Sequence, residues 1–329
     1  MKPGLLALAL SSSALLWMGC AGAQGPDTAD GYPNRTVRIV VPFPAGGPTD
    51  ILARVVAQRM SEVWGQPVVI ENQPGANTAI AATRVAKMPA DGYTLLAVMD
   101  VTMVLNPITT RNLSYDPLKD FAPITLASKN TSLLSVRADD GPKTVKELIA
   151  RAKAAPGKLN YGAGIITTRL AGYLFNREAG IDAQYIPFQG SPPTVQGLLT
   201  GAVDYIVDGA ATSVPLIQGG TLRALAKLNS RPLPALPDVK PLAVEADVPA
   251  LDDISTWTGF VAPAGTPRGI IEKIQREVVK MYADPVIADK LEKSGISAAS
   301  STPAEFDAFV RKELYRWGQV VKDSGIQLN

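Results

Sequence analysis

Residues 37–60 combine an apolar strand, a glycine turn and a helix in one continuous unit. Four of the five residues from Val37 to Val41 are apolar and β-branched, which is typical of a parallel strand buried on both faces. The prolines and glycines of residues 42–48 fit no regular element and predict a turn. Thr49 is the predicted N-cap of the following helix, and Asp50 belongs to its first turn. A strand of this kind needs a sheet with helices packed on both faces.

This unit places a helix N-terminus at the carboxyl end of a strand. Free backbone N–H groups and the positive end of the helix dipole attract an anion there. Ligands of open α/β sheets bind at such strand ends. The turn has neither G-x-G-x-x-G nor G-K-[ST], so it predicts neither a dinucleotide site nor a phosphate loop. The alternative interpretation is a tight turn that binds nothing.

The same arrangement is predicted to continue along the chain. Strands at 66–71 and 93–99 enclose a helix at 78–87, and this alternation predicts a parallel sheet with right-handed crossovers. The loop at 100–107 follows the third strand and is expected beside the first glycine turn. A helix is predicted at 144–155 with Thr144 as its cap. A later strand at 159–164 ends in glycine before a helix that starts at Arg169, with Thr167 or Thr168 as its cap, and a further strand is predicted at 183–187.

Composition excludes several classes of protein. The chain has 329 residues, enough for two lobes, and a formal net charge of +2, too small for a nucleic-acid or membrane-surface protein. It contains no histidine, so a Ser-His-Asp or Cys-His pair is excluded and a zinc site is not expected. No other catalytic cluster stands out. We therefore expect neither an enzyme nor a metal or cofactor site.

Residues 1–23 have the pattern of a secretory signal peptide. The apolar segment Leu5 to Met18 is too short to span a bilayer comfortably, and Ala21-Gly22-Ala23 is a small-x-small cleavage site. The mature chain is expected to start at Gln24, outside the cytoplasmic membrane. Lipidation at Cys20 is a less favoured alternative, because a tryptophan occupies the lipobox position where a small aliphatic residue is usual.

Four segments resemble one family, the substrate-binding proteins of tripartite tricarboxylate transporters, also called Bug proteins. These segments are VPFPAGGPTDILAR from residue 41, ENQPGANTAIAATRVAKMPADGYTLL from residue 71, YDPLKDFAP from residue 115 and APAGTP from residue 262. The resemblance extends over essentially all of residues 32–329. It implies an α/β fold, the two-lobe (Venus-flytrap) architecture of type II periplasmic binding proteins, with a mostly parallel sheet in each lobe.

Two chain crossings between the lobes are predicted from this pattern. Residues 24–126 and 256–329 are expected to form the first lobe, and residues 127–255 the second. The second crossing contains Trp257, for which we predict packing at the hinge, with lining of the cleft as the alternative.

The resemblance also implies a set of ligand-binding residues, held on loops of both lobes. They are Phe43, Ala45, Gly46, Gly47 and Thr49 from the first turn, Thr102 from the third-strand loop, and Thr167, Thr168 and Asp208 from the second lobe. Arg169 replaces a histidine of the family pattern, and we add it as a cationic fork for a second carboxylate. The alternative for Arg169 is a solvated outer helix face.

Other departures from the pattern leave alternatives open. Asp100 adds an acid near the expected anion site, where it either faces solvent or selects a ligand with an amine or hydroxyl. Asp208 either faces the cleft or caps the helix after it. Ile165 and Ile166 replace small polar residues and favour an aromatic or aliphatic carboxylate.

The resemblance implies an extracytoplasmic receptor for a small carboxylate, partnered with the membrane subunits of a tripartite tricarboxylate transporter. An alternative partner is the ectodomain of a sensor kinase, and an enzyme acting on a small carboxylate is the third hypothesis. We expect a monomer that binds no nucleic acid and needs no cofactor.

Overall fold

A computed structural model describes residues 29–248 and 255–324. The predicted signal peptide, Cys20 and Gln24 lie outside the described residues. Within them, no helix is long and apolar enough to span a bilayer.

Eleven strands are formed by the described residues. They are β1 (Val37–Val41), β2 (Val68–Asn72), β3 (Thr94–Met99), β4 (Phe121–Asn130), β5 (Ser132–Arg137), β6 (Leu159–Ala163), β7 (Ala183–Pro187), β8 (Tyr205–Gly209), β9 (Leu222–Lys227), β10 (Thr256–Pro263) and β11 (Ile296–Ala298).

Helices connect these strands and cover both sheets. They are α1 (Pro48–Trp64), α2 (Ala79–Val85), α3 (Asn106–Thr109), α4 (Val145–Ala154), α5 (Ile166–Ala179), α6 (Ser191–Leu199), α7 (Ala210–Gln218), α8 (Leu242–Glu245), α9 (Arg268–Tyr282), α10 (Pro285–Lys293) and α11 (Pro303–Ser324). A 3₁₀ turn at Ala76–Thr78 and a π-helical turn at Val101–Leu105 complete the set.

The strands form two separate sheets, which confirms the predicted two-lobe α/β fold. The first lobe is built on the order β11-β4-β10-β3-β1-β2, and the second on β7-β6-β8-β5-β9. Both sheets are mixed, although we expected mostly parallel ones. β1 pairs in parallel with β2 and β3, and β6 with β7 and β8, but β10 runs antiparallel to β3 and β4, and β5 antiparallel to β8 and β9. The antiparallel strands include those that carry the chain between the lobes.

β4 and β10 bring the chain to and from the second lobe. β4 continues to Asn130, past the predicted boundary at residue 126, and β5 of the second sheet begins two residues later. β10 returns the chain to the first sheet and pairs with β4 from Thr256 to Pro263. Trp257 of β10 is buried and packs edge to face on Phe306 and Phe309 of α11. The predicted packing of this tryptophan is therefore confirmed.

The structure confirms one of the predicted helix starts and shows that others are wrong. Thr144 caps α4 as predicted, accepting a bond from the Glu147 N–H at 3.1 Å. Thr49 does not cap α1, because the helix begins one residue earlier, at Pro48, with Gly47 as N-cap. Residues 100–107, predicted as a loop, contain instead the π-helical turn and the start of α3. The apolar side chains of this segment are buried, which keeps it compact.

Candidate functional site

A cleft between the two lobes holds two adjoining cavities. The inner cavity has a volume of about 30 Å³, and the outer cleft about 430 Å³. Both are lined by Phe43 and Pro44 of the first lobe, and by Gly164, Ile165 and Gly190 of the second. The lobes are therefore in contact around the cavities. A Cβ atom added to Gly190 would lie only 3.3 Å from Cδ of Pro44, so the Pro44 ring packs closely on Gly190.

Four helix N-termini border the inner cavity, that of α1 from the first lobe and those of α5, α6 and α7 from the second. α1 begins in the Gly-Gly-Pro turn, and Gly47, Pro48 and Thr49 line the cavity wall from the first lobe. α5 begins after its N-cap Ile165, and Thr168 of its first turn lines the wall from the second lobe. The N-caps of α1 and α5 supply no side-chain acceptor, so N–H groups of the first turns stay available. Positive dipole ends from both lobes thus face one cavity.

The turn before α1 is held in place by Asp50. Its Oδ2 accepts the Gly46 N–H at 2.9 Å and Arg54 Nε at 2.8 Å, and its Oδ1 accepts Asn72 Nδ2 at 2.9 Å. Burial alone would raise the pKa of Asp50, but these hydrogen bonds together lower it below the usual value. Asp50 is therefore ionised and stabilises the turn through these hydrogen bonds. The prediction that Asp50 lies in the first helical turn is confirmed.

Thr167 and Thr168 lie inside the first turn of α5 and do not cap it. The helix begins at Ile166, three residues before the predicted start. Thr168 Oγ1 donates to the Ile165 carbonyl at 3.1 Å. Thr167 Oγ1 donates to the Asp100 carboxylate of the first lobe. The sequence pattern missed this because the partner of Thr167 lies 67 positions away along the chain.

Asp208 lines the inner cavity from the end of β8. It is almost fully buried, and its Oδ2 has no hydrogen-bond partner among the described residues. Burial raises the pKa of Asp208 to about 7, against the opposing effect of Ser191, Gly209 and Ser213. α7 begins at Ala210 with Gly209 as N-cap, so the helix-cap alternative for Asp208 is wrong.

Arg169 lies in the wall of the outer cleft. Its guanidinium stands 4.8 Å from the centre of the Tyr185 ring, a cation–π arrangement. Ile165 and Ile166 line the same cleft, so the cation stands beside an apolar surface. The outer cleft also includes the 3₁₀ turn at Ala76–Thr78, in which all three residues have positive φ.

Four other residues that were predicted to bind the ligand line neither cavity in this structure. Ala45 and Gly46 are exposed at the turn. Thr102 is fully buried and donates to Thr78 Oγ1 at 3.0 Å, and Thr167 is buried in its bond to Asp100.

Asp100 is likewise buried, so the solvent-facing alternative for it is wrong.

No group of three or more potential metal ligands occurs in residues 29–248 and 255–324.

Hydroxyl groups that our sequence analysis did not single out complete the inner cavity. They belong to Ser132, Ser191 and Thr256. Ser191 opens α6 directly after Gly190, so the same glycine-to-helix pattern could have identified it. Ser132 begins β5, just after β4 has brought the chain to the second lobe, and Thr256 begins β10. Only the three-dimensional topology brings these two residues to the cavity.

Comparisons with known proteins agree with this architecture. A family profile described as "Tripartite tricarboxylate transporter family receptor" matches residues 52–326. Protein BugT of Bordetella pertussis is 32% identical over 323 residues, which cover 95% of this chain and 96% of that protein.

Two solved structures are similar over nearly their whole length. An R. palustris protein with adipate has a TM-score of 0.86 and 35% identity, covering 90% of this chain and 99% of that one. MatC from Rhodopseudomonas palustris with bound malate has a TM-score of 0.80 and 34% identity, covering 88% and 100%. The resemblance drawn from the sequence motifs is confirmed. The chain is a member of the tripartite tricarboxylate transporter receptor family.

Proposed function

We propose that this protein captures a small carboxylate in the interlobe cleft and delivers it to the membrane subunits of a tripartite tricarboxylate transporter. The ligand docks on the first lobe, the second lobe closes over it, and the closed form is presented to the transporter. The protein acts as a monomer in the periplasm and releases its ligand chemically unchanged.

The convergence of helix N-termini from both lobes on the inner cavity is the observation that carries this proposal. α1 supplies free N–H groups from the first lobe, and α5 supplies them from the second. An anion between them interacts favourably with both dipoles only when the lobes are closed, and this couples binding to closure. Hydroxyls of Thr49, Ser132 and Thr256 add neutral donors around it. Asp208 in the same wall donates to the anion in its protonated form, which burial favours by raising the pKa of Asp208 to about 7.

Arg169 provides a second anion-binding position in the outer cleft, which we call the second pole, and this favours a dicarboxylate. Arg169 offers a planar cation beside the apolar side chains of Ile165 and Ile166. An aliphatic chain between two carboxylates matches this order of anion site, apolar wall and cation. The adipate and malate named for the two similar structures are both dicarboxylates of this kind.

Thermal unfolding against a panel of carboxylates tests the proposal. The panel includes adipate, malate, succinate and matched monocarboxylates such as hexanoate and butyrate. A ligand at 100 times its dissociation constant stabilises the protein by about 2.7 kcal/mol, a rise in melting temperature of roughly 5 °C. Absence of a shift with every acid, before and after refolding from denaturant, would refute it. Chemical conversion of a bound acid, detected by mass spectrometry, would favour an enzyme instead.

The change Arg169→Gln tests the second pole. We expect it to weaken dicarboxylate binding by about tenfold or more and to leave monocarboxylate binding nearly unchanged, because only the dicarboxylate loses an ion pair. Arg151→Gln is the matched control, since Arg151 is an exposed arginine on α4 of the same lobe. Isothermal titration measures both. Equal losses for the two ligand classes would place Arg169 outside the recognition of the second carboxylate.

The proposed location depends on residues outside those described. Intact-mass measurement of the protein recovered from the periplasm should give a chain starting at Gln24. A diacylglycerol adduct on Cys20 would instead show that the chain is anchored to a membrane.

A further inference from the structure

Asp100 and Thr167 join the two lobes through a single side-chain hydrogen bond. Asp100 directly follows β3 of the first lobe, and Thr167 lies in the first turn of α5 in the second. Thr167 Oγ1 donates to Asp100 Oδ2, and both residues are at most 1% exposed. The bond therefore forms in a space that is sealed only when the lobes are together.

The carboxyl of Asp100 is poorly compensated in this position. Its Oδ1 has no hydrogen-bond partner among the described residues. The charged group that faces it from α11 is Glu313, itself paired with Arg316 at 2.9 Å. The charged residue next to Thr167 on α5 is Arg169, which is directed at Tyr185 in the outer cleft. The backbone N–H groups of Val101 and of Asp100 itself also favour the charged carboxyl, but burial outweighs these bonds and the bond to Thr167 together. Thr167 is the partner that the second lobe supplies to Asp100.

The position of this bond relates it to the cleft. Thr167 lines neither cavity, whereas its neighbours Ile166 and Thr168 line the outer cleft and the inner cavity. A fixed Thr167 side chain therefore fixes the first turn of α5, and Thr168 of that turn lines the inner cavity. The hydroxyl of Thr167 contributes to lobe geometry, although the family resemblance assigns it to the ligand.

We propose that Asp100 and Thr167 form an interlobe latch, a pair of positioning residues that stabilises the closed lobes and holds the α5 N-terminus over the cleft. Lobe opening breaks the bond and admits water to both groups. The free energy of closure then includes the latch even without ligand, and ligand affinity rises by the same factor as the closed population. Only this last step rests on the proposed function.

Protonation of Asp100 links the latch to pH. Burial raises the pKa of Asp100 to about 7 in the closed protein, while a hydrated aspartate titrates near 4. The closed form therefore binds a proton more tightly than the open form. The resulting stabilisation of the closed form relative to the open form is present at low pH and is lost as pH rises through about 7. The bond itself survives, because a protonated carboxyl donates to the same hydroxyl oxygen.

Double electron–electron resonance without ligand tests the latch. Ile80 and Asp182 are exposed and belong to different lobes, so nitroxides on Ile80→Cys and Asp182→Cys report lobe separation. The chain without residues 1–23 has no other cysteine. We expect Thr167→Val to lower the ratio of closed to open molecules about tenfold, and Thr167→Ser to restore it.

Controls separate the latch from general loss of a buried hydroxyl. Thr125→Val removes a fully buried hydroxyl that accepts the Ser301 N–H and shares its proton between the Leu126 and Ser301 carbonyls, all within the first lobe. It should leave the distance distribution unchanged. In the parent chain the closed fraction should fall between pH 5 and pH 8. Asp100→Asn should reduce that dependence, and Asp100→Asn/Asp208→Asn should remove it, because Asp208 is the other carboxyl buried at the cleft with a raised pKa. Melting curves confirm that each variant is folded.

Two results would overturn the proposal. One is a Thr167→Val distance distribution identical to that of the parent chain at both pH values. The other is a loss of ligand affinity in Thr167→Val without any change in the ligand-free distribution, which would return Thr167 to the ligand. A failure to find any carboxylate ligand would count against the proposed function alone, because the distance measurement needs no ligand.

Discussion

Gly209 offers the sharpest test of lobe closure, because a single added methyl group should act only across the cleft. Gly209 is the N-cap of α7 in the second lobe, with φ −65° and ψ 135°. Alanine adopts these angles freely, so Gly209→Ala should not disturb the fold of its own lobe. A Cβ atom at this position would stand 2.9 Å from Pro48 Cγ in the first lobe.

The size of the effect follows from that distance. Ordinary van der Waals contact begins near 3.4 Å, so the lobes must separate locally by at least about 0.5 Å. Overpacking of this degree typically costs 1–3 kcal/mol. Since the open form escapes the clash, that energy appears as weaker closure. Ligand affinity should fall by roughly 5- to 150-fold.

Titration calorimetry and the ligand-free lobe distance together measure this effect. Pro48→Ala removes the opposing ring, so Pro48→Ala/Gly209→Ala should recover most of the affinity lost by Gly209→Ala. Gly318→Ala is the control for a glycine replacement without a clash, since nothing lies within 4 Å of its added Cβ. The reasoning is refuted if Gly209→Ala is well folded yet binds and closes as the parent chain does. It is equally refuted if the double variant shows no recovery.

Two further predictions concern buried polar groups. Burial raises the pKa of Asp208 from 3.8 to about 7, so its contribution to folding is present below pH 4 and is lost as pH rises through 7. Asp208→Asn should therefore stabilise the ligand-free protein at pH 8, by at most about 4 kcal/mol, and by less at pH 5. Parallel stability profiles in urea at the two pH values would contradict this. Tyr115→Phe should cost about 1–2 kcal/mol of unfolding free energy, because Tyr115 Oη donates to the Thr102 carbonyl at 2.6 Å and accepts Asn106 Nδ2 at 3.1 Å. Urea unfolding at constant pH checks the change, and an unaltered midpoint would show that water replaces the lost bonds.

Local patterns predicted those parts of the fold that local physics decides. The glycine-proline turn, the following helix and the Thr144 cap all depend on residues within a few positions of one another. The β7 strand was predicted with the bounds that the structure gives. The two-lobe fold followed from the order of strands and helices, together with the family motifs.

Long-range contacts explain what the sequence could not predict. Asp100 looked awkward beside an anion site because its partner, Thr167, lies in the other lobe. Thr49 looked like a cap, but the helix starts at Pro48, and its hydroxyl lies 3.5 Å from that of Thr258 on β10. Arg169 could have faced solvent or ligand, and only the packing beside Tyr185 decides its direction. Each of these depends on which strands become neighbours.

Of the two strands that link the lobes, β10 also borders the binding site, and this gives the molecule a mechanical property. Thr256 of β10 borders the inner cavity, while the next residue, Trp257, is clamped by the aromatic rings of α11. The β10–β4 ladder contains register shifts at Thr258/Gly259 and Phe260/Val261, where the regular hydrogen-bond pattern is interrupted and the strand is locally bent. Flexing the ribbon therefore reshapes the cavity directly. A ligand that fits the cavity therefore restricts bending of β10. Amide hydrogen exchange along β10 should then be slower in the ligand-bound protein than in the ligand-free protein.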